Sequence, residues 1–402
     1  MIRSIHIDNF KALNDFTIEL KPFTVLIGDN SVGKSTVLQA IAFLKYCCIF
    51  DIGAFIAERG IPAEELTSKL SSKKTISFSI ELELLEKMIV WELSIVRMKD
   101  QFELRQEKVL SGDKTLLLYR NNGTSYRINA ETGEKDPIME GTYTCSIIRF
   151  TDIWKQEKIY PELVALKKFF GGIETMDLLS PVSMKRNSKG STKSIGTGGE
   201  KLGAFVKSLS LAERMELVED VKRFFSPFRS IVPKTKQYGW IHLETKEMYA
   251  DKSVDISAAN VSDGMMRIIA LCTLRQMKNE SSMILLDEIE DGVNNEHFET
   301  LVDLLRAITE GKHIQLLATS HNTSLLDYWI EKIEWDKKDT ASDNVKESIV
   351  VLSRNDTGKV DSKNLLDSAV VRERLGYMYP GEIIQSMTNQ ELRASLMEEK
   401  DK

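Results

Sequence analysis

The sequence predicts an α/β fold of two lobes, built from a mostly parallel sheet with a glycine-rich loop, an antiparallel β meander and a helical insert. Three observations predict it. The apolar run FTVLI leads into GDNSVGKST and then into TVLQAIAFLKY, where Val37, Ala40, Ile41 and Leu44 fall at helical spacing. From Thr75 to about residue 128, apolar and polar side chains alternate, with turn signals between the runs. From Ser262 onward, apolar strands alternate with amphipathic helices, the pattern of a parallel sheet. The predicted segments are 1–150 (loop and meander), 151–260 (helical insert) and 261–402 (a second α/β segment with a helical tail).

The first thirty residues read as two strands, SIHIDNF and FTIEL, followed by the strand that feeds the loop. Gly28 to Ser35 matches GxxxxGK[ST], the phosphate-cradling pattern. Gly28 and Gly33 let backbone approach phosphate oxygens without an intervening Cβ. Asn30, Ser31 and Val32 shape the loop, and the amides of Val32 to Ser35 open a helix whose positive end faces an anion. Lys34 is expected on the β- and γ-phosphates, Ser35 on Mg²⁺ and Thr36 near the α-phosphate.

In TISFSIELEL, Ile76, Phe78, Ile80, Leu82 and Leu84 share one face, as a half-buried strand requires. MIVWELSIVRM, FELRQEKVL, TLLLYR and TSYRI continue the meander. PELVALKKFFGG, KLGAFVKSLS and LAERMELVEDVKRFFSPF then read as helices. Between them SMKRNSKGSTKSIGTGGEK reads as a mobile surface loop; its Lys185, Arg186, Lys189 and Lys193 are candidates for contact with a nucleic-acid backbone.

MILLDE reads as a buried strand delivering Asp287 and Glu288 to the sheet edge where ligands bind. Asp287 suits Mg²⁺ and Glu288 suits a general base acting on water. LLATSH ends at His321, placed to sense a terminal phosphate. In VSDGMMR, Ser262 and Gly264 open a helix; the pattern reads as an ordinary serine cap or as a second anion site.

The net charge of −6 argues against a surface that coats nucleic acid as a whole, so any such contact must be local. Cys47, Cys48, Cys145 and Cys272 form no metal spacing and read as reduced thiols. No apolar run approaches a membrane span, and MIRSIHIDNF lacks the apolar core of a signal peptide. A cytoplasmic protein is expected.

The order phosphate loop, long insert, SDGMMR, ILLDE, EDG, TSH resembles the ABC-type ATPase heads of the SMC and RecF class. It is most similar to the compact heads of the OLD (overcoming lysogenization defect) kind found in prokaryotic defence systems. IDNFKALNDFTIEL looks like the opening strands of that family. The resemblance covers the first fifty residues and roughly 195 to 335. It implies ATP and Mg²⁺ as ligands, with Lys34, Ser35, Asp287, Glu288 and His321 acting in one subunit. Ser262 and Gly264, supported by Arg267, would complete the site across a homodimer or higher homo-oligomer. Two departures stand out. Glu290-Asp291-Gly292 is followed by Val293 and Asn294 where the family often has histidine and proline, and the family's Mg²⁺-touching glutamine is not evident, Gln156 being a weak match for it. About eighty residues follow His321, with the acidic DKKDTASDN in a polar loop, so no built-in Toprim nuclease is expected.

The resemblance implies an ATPase switch working with a separately encoded effector in defence. The alternative is a RecF-like repair ATPase that clamps DNA. A transporter engine is disfavoured because the chain has no Leu-Ser-Gly-Gly-Gln signature.

Overall fold

The computed structural model describes residues 1–99, 101–121, 123–138, 141, 143–277, 281–310, 314–330, 346–387 and 391. DKKDTASDN and the end of the helical tail lie outside them. The described residues form two units: 1–173 with 346–373, and 174–330 with 374–387.

The chain begins with β1 (Ile2–Asp8), β2 (Phe16–Glu19), β3 (Phe23–Ile27), α1 (Lys34–Ile49) and α2 (Ile52–Arg59). The meander follows as β4 (Thr75–Leu84), β5 (Lys87–Arg97), β6 (Phe102–Ser111), β7 (Leu116–Asn121), β8 (Thr124–Ile128) and β9 (Lys135–Pro137). Next come α3 (Pro161–Gly171), β10 (Ile173–Met176), α4 (Pro181–Met184), β11 (Ser188–Lys189), α5 (Leu202–Ser208) and α6 (Leu211–Phe224). β12 (Phe228–Thr235), β13 (Trp240–Tyr249) and β14 (Lys252–Ser257) precede α7 (Asp263–Leu274), β15 (Met283–Leu286), α8 (Phe298–Thr309), β16 (Gln315–Thr319) and α9 (Ser324–Ile330). The last described elements are β17 (Glu347–Arg354), β18 (Val360–Asn364), α10 (Ala369–Arg374) and α11 (Pro380–Ser386).

In the first unit an eight-stranded antiparallel sheet runs β2-β1-β4-β5-β6-β7-β8-β9. The predicted alternation sets its faces: Ile76, Phe78, Ile80 and Leu82 are buried. Phe78 meets Phe10 and Phe43, with ring centroids 5.7 and 5.8 Å apart, and Phe55 stands edge-on to Phe43. Placing α1 against these rings anchors the helix that follows the phosphate loop. Beside this core lies a polar one that the alternation does not reveal. Fully buried Glu107 accepts from Trp91 Nε1 at 3.0 Å, from the Ile147 amide at 2.9 Å and from the Ser146 hydroxyl. Burial pushes its carboxyl above the usual range, and those three donors and the nearby Arg120 guanidinium oppose the shift.

β3 pairs parallel with β17, which pairs antiparallel with β18. All five β3 residues are buried, as the run FTVLI requires. In the second unit β15 and β16 are parallel and fully buried. α8 buries Phe298, Leu301, Val302, Leu305 and Ile308, the face its sequence periodicity predicts.

The predicted insert range has the three helices expected from the sequence and a fourth, the short α4, which was not expected; it also holds a sheet that the sequence pattern does not signal: β11-β13-β12, with β14 on β13. In WIHLETKEMY the inward positions are Ile241, Leu243, Thr245 and Glu247. Two of these four are polar, so the apolar signal of a strand is half erased. The loop read as mobile contributes β11, where Ser188 pairs with Ile241 and Lys189 with Trp240.

Candidate nucleotide site

The phosphate loop belongs to the first unit. Gly28, at φ +142°, follows β3 directly; a Cβ there would lie 2.4 Å from the carbonyl oxygen of Leu352. Only glycine permits that approach. Gly33, at φ +120°, is the N-cap of α1 and brings no side chain to the helix start, so the first turn keeps its anion-binding character. Ser31 sits in the left-handed region at φ +63°, and Asn30 and Ser31 are exposed at the loop crest. Val32 is buried by its side chain, so its contribution to a ligand is its amide. Ser35 and Thr36 are half-buried in the first turn. Lys34 is nine-tenths buried, and its Nζ donates to the carbonyls of Gly28 at 2.6 Å and Asp29 at 3.0 Å. The cation thus spans the loop that a triphosphate would fill.

Gln156, also in this unit, accepts from the Asp152 amide at 2.9 Å and from Arg127 Nη1 at 3.4 Å. Its amide group therefore braces its own loop.

The second unit gathers the remaining predicted residues. Asp287 and Glu288 follow β15 directly, Asp287 half-buried and Glu288 exposed. One residue that the sequence reading did not name positions both. The hydroxyl of Thr319, the last residue of β16, donates to Asp287 Oδ1 and accepts from the Glu288 amide at 2.8 Å. Glu288 has φ +49°, an uncommon conformation for a glutamate and one that redirects the chain just where the carboxylate is presented. A hollow of about 100 Å³ is lined by Asp287, Glu288, Asp291, Arg267 and Asp177. It is polar and has room for water.

His321 is half exposed, and Glu290 orients it. Glu290 is buried, and its Oε1 lies 2.9 Å from His321 Nδ1 while accepting the amides of His321 at 2.7 Å and Asn322 at 3.1 Å. The sequence reading saw Glu290 only as part of a turn. One carboxylate in fact organises the whole segment after β16. Glu290→Ala should lower stability by about 2 kcal/mol or more, because it strips the acceptor from two amides at once. Glu290→Gln should cost less, and urea unfolding of the two variants checks both statements.

Ser262 is exposed at the N-cap of α7, with its Oγ accepting from the Met265 amide at 3.2 Å. Gly264 has a role within its own chain: a Cβ there would lie 2.9 Å from the carbonyl oxygen of Gly292. Arg267 Nη1 pairs with Asp291 Oδ2 at 2.5 Å. Ser262 and Gly264 both line an open cleft of about 410 Å³, together with Phe224, Asn260, Asn294 and His297.

Two family models match the chain. The model described as "AAA ATPase domain" matches residues 1–168, and the one described as "AAA domain, putative AbiEii toxin, Type IV TA system" matches residues 190–327. No curated protein matches. Among solved structures, an SMC head bound to the C-winged helix domain of ScpA is similar with a TM-score of 0.51 at 14% identity, over 90% of this chain and 97% of that one. An SMC head domain with an extended coiled coil, bound to the C-terminal domain of ScpA derived from Pyrococcus furiosus, gives a TM-score of 0.54 at 12% identity, over 94% and 99%. The likeness is one of fold: a mixed α/β head with large sheets.

Proposed function

We propose that this ABC/SMC-like ATPase is a switch: it binds ATP with Mg²⁺, joins a second copy head to head, and controls a separately encoded nuclease or toxin in prokaryotic antiviral defence. The observation that carries the reading is Glu288, exposed after β15 and held in a left-handed backbone by Thr319.

In this reading Lys34 leaves the Gly28 and Asp29 carbonyls for the β- and γ-phosphates, and the amides around Gly33 take the remaining phosphate oxygens. The hydroxyl of Ser35 and the carboxylate of Asp287 are the groups that would hold Mg²⁺. The donor set fits that ion: both are hard oxygen ligands, and Thr319 already orients the carboxylate. Mg²⁺ keeps several waters and phosphate oxygens as ligands, so two protein groups suffice. When bound, the ion neutralises charge between phosphate oxygens. Glu288 accepts the proton of the attacking water. His321, fixed through Nδ1 by Glu290, hydrogen-bonds the terminal phosphate.

Ser262 and Gly264 serve the nucleotide of the second copy in this scheme. The exposure of Ser262 and the cleft beside it support that role. Each site then takes ligands from two chains, so nucleotide binding drives association. A protein effector is supported by the compared SMC heads, which are bound to ScpA domains. Defence is supported by the toxin–antitoxin description of the second family model. The four free, buried cysteines support a reducing, cytoplasmic setting. No helix among the described residues is long and apolar enough to cross a membrane. The second reading, a RecF-like ATPase that clamps DNA, is favoured by the basic run Lys185, Arg186, Lys189 and Lys193 in the second unit.

Light scattering after gel filtration tests the switch. Glu288→Gln with ATP should elute at twice the monomer mass or more, and revert when ATP is removed. A monomer under both conditions sinks the head-to-head arrangement.

A further inference from the structure

The hairpin joining β12 to β13 carries a feature that ATP chemistry does not use. Its tip, Lys236 to Trp240, presents Tyr238 at 88% and Trp240 at 42% exposure. Tyr238 is held at φ +59°, so the backbone at the tip is bent to present it. Both rings line one cleft, and grouped exposed apolar surface of that kind marks interaction sites. The adjoining strand β11 lays Lys189 across the Trp240 ring, its Nζ 4.3 Å from the centroid.

Charge is just as local. Residues 185–193 read KRNSKGSTK and residues 234–242 read KTKQYGWIH. Together they contain six lysines and arginines and no acid, in a chain of net charge −6. Lys185 is paired with Asp263, and Lys234 with Glu244. Among the described residues neither Arg186 nor Lys236 has an ion-pair partner, and both are exposed. Burial first, then the charge of Lys236, holds the neighbouring His242 imidazole below its ordinary range; Glu244 opposes the shift and Lys234 adds to it. An open cleft of about 740 Å³ is lined by Asn187, Lys236, Gln237, Tyr238 and Trp240. Its amide side chains can hydrogen-bond base edges.

We propose that this hairpin tip with β11 is a binding platform for single-stranded nucleic acid. Rings of this exposure stack on bases, and only a single strand offers unstacked ones. Arg186, Lys189 and Lys236 track the backbone phosphates. A protein partner would have to match two flat rings and the unpaired cations Arg186 and Lys236 with acidic and aromatic groups together. A nucleic-acid strand supplies anion and π-face in every unit. The platform lies within the second unit and needs no nucleotide, so it stands or falls apart from the ATPase reading.

Fluorescence anisotropy on the full chain without ATP tests it, using labelled oligothymidylate and oligouridylate of about twenty nucleotides and a duplex of the same length. Either single strand should bind at least about tenfold more tightly than the duplex, and the tighter of the two identifies DNA or RNA as the source. With three phosphates neutralised, the slope of log affinity against log salt should be about −2. Tyr238→Ala with Trp240→Ala should weaken binding about tenfold or more, while Tyr238→Phe with Trp240→Phe should retain it. Lys189→Glu with Lys236→Glu should flatten the salt slope. The proposal is overturned if the duplex binds as well as the single strands. It is equally overturned if the alanine pair, with an unchanged melting curve, binds like the parent, or if polyglutamate competes as well as the oligonucleotides.

Discussion

Glu288→Gln is expected to slow ATP hydrolysis by about 10²–10⁴-fold while leaving ATP affinity almost unchanged. The substitution is isosteric and removes only the ability to accept a proton. The Glu288 side chain is exposed, and its positioning comes from the backbone: its amide bonds to Thr319, and the left-handed φ does not depend on the carboxylate. The variant should therefore fold as the parent does. The two effects are separated by measuring phosphate release at saturating ATP and nucleotide affinity by titration. If hydrolysis falls less than about tenfold, Glu288 is not the base. If affinity falls in parallel, the residue serves binding. Thr319→Val provides a companion control: it keeps the shape of the side chain but removes the hydroxyl shared by Asp287 and Glu288. It should lower the rate through misplaced carboxylates, and raising Mg²⁺ should recover part of the loss.

The second large effect lies in the other unit. Lys34→Ala should weaken ATP binding about 100-fold or more, since charge-assisted bonds to phosphate are each worth about 1.5–3 kcal/mol. In the free protein the ammonium spans the carbonyls of Gly28 and Asp29, and that arrangement sharpens the test. Removing it withdraws a donor from two loop carbonyls, so a modest fall in stability without nucleotide is expected as well. The diagnostic quantity is therefore the ATP-induced rise in melting temperature, which should vanish whatever the starting value. Lys34→Arg should not restore it, because a planar guanidinium does not fit where a compact point charge sits. A variant that keeps the full ATP-induced rise would remove the phosphate loop from the scheme.

The legible parts of this molecule are those where backbone geometry or burial dictates residue type. Gly28 is readable because no other residue tolerates an oxygen 2.4 Å from its Cβ position. FTVLI and MILL are readable because a strand covered on both faces must be almost wholly apolar; the one polar residue, Thr24, is buried and satisfied by the Ser348 hydroxyl. The α7 cap at Ser262 is readable because serine satisfies an orphan amide. Thr319 and Glu290 were not readable. Their partners lie about thirty residues away in sequence, and nothing local marks a threonine that hydrogen-bonds two groups or a turn acid that turns inward. Glu107 is illegible for a related reason: in an alternating strand a glutamate reads as an outward residue, and its three donors come from Trp91, Ser146 and Ile147, far away in sequence. The β12–β14 sheet is not legible because polar residues occupy inward positions of β13.

Gly264 and Gly292 touch backbone to backbone, Arg267 grips Asp291, and Glu290 of the same turn holds the amides after β16. These three fastenings tie the start of α7 to the histidine segment through a single short turn. Such a staple has a kinetic signature. In native-state hydrogen exchange the amides of Met265, His321 and Asn322 should open together as one cooperative unit, with a shared denaturant dependence. Loosening any one fastening should accelerate all three.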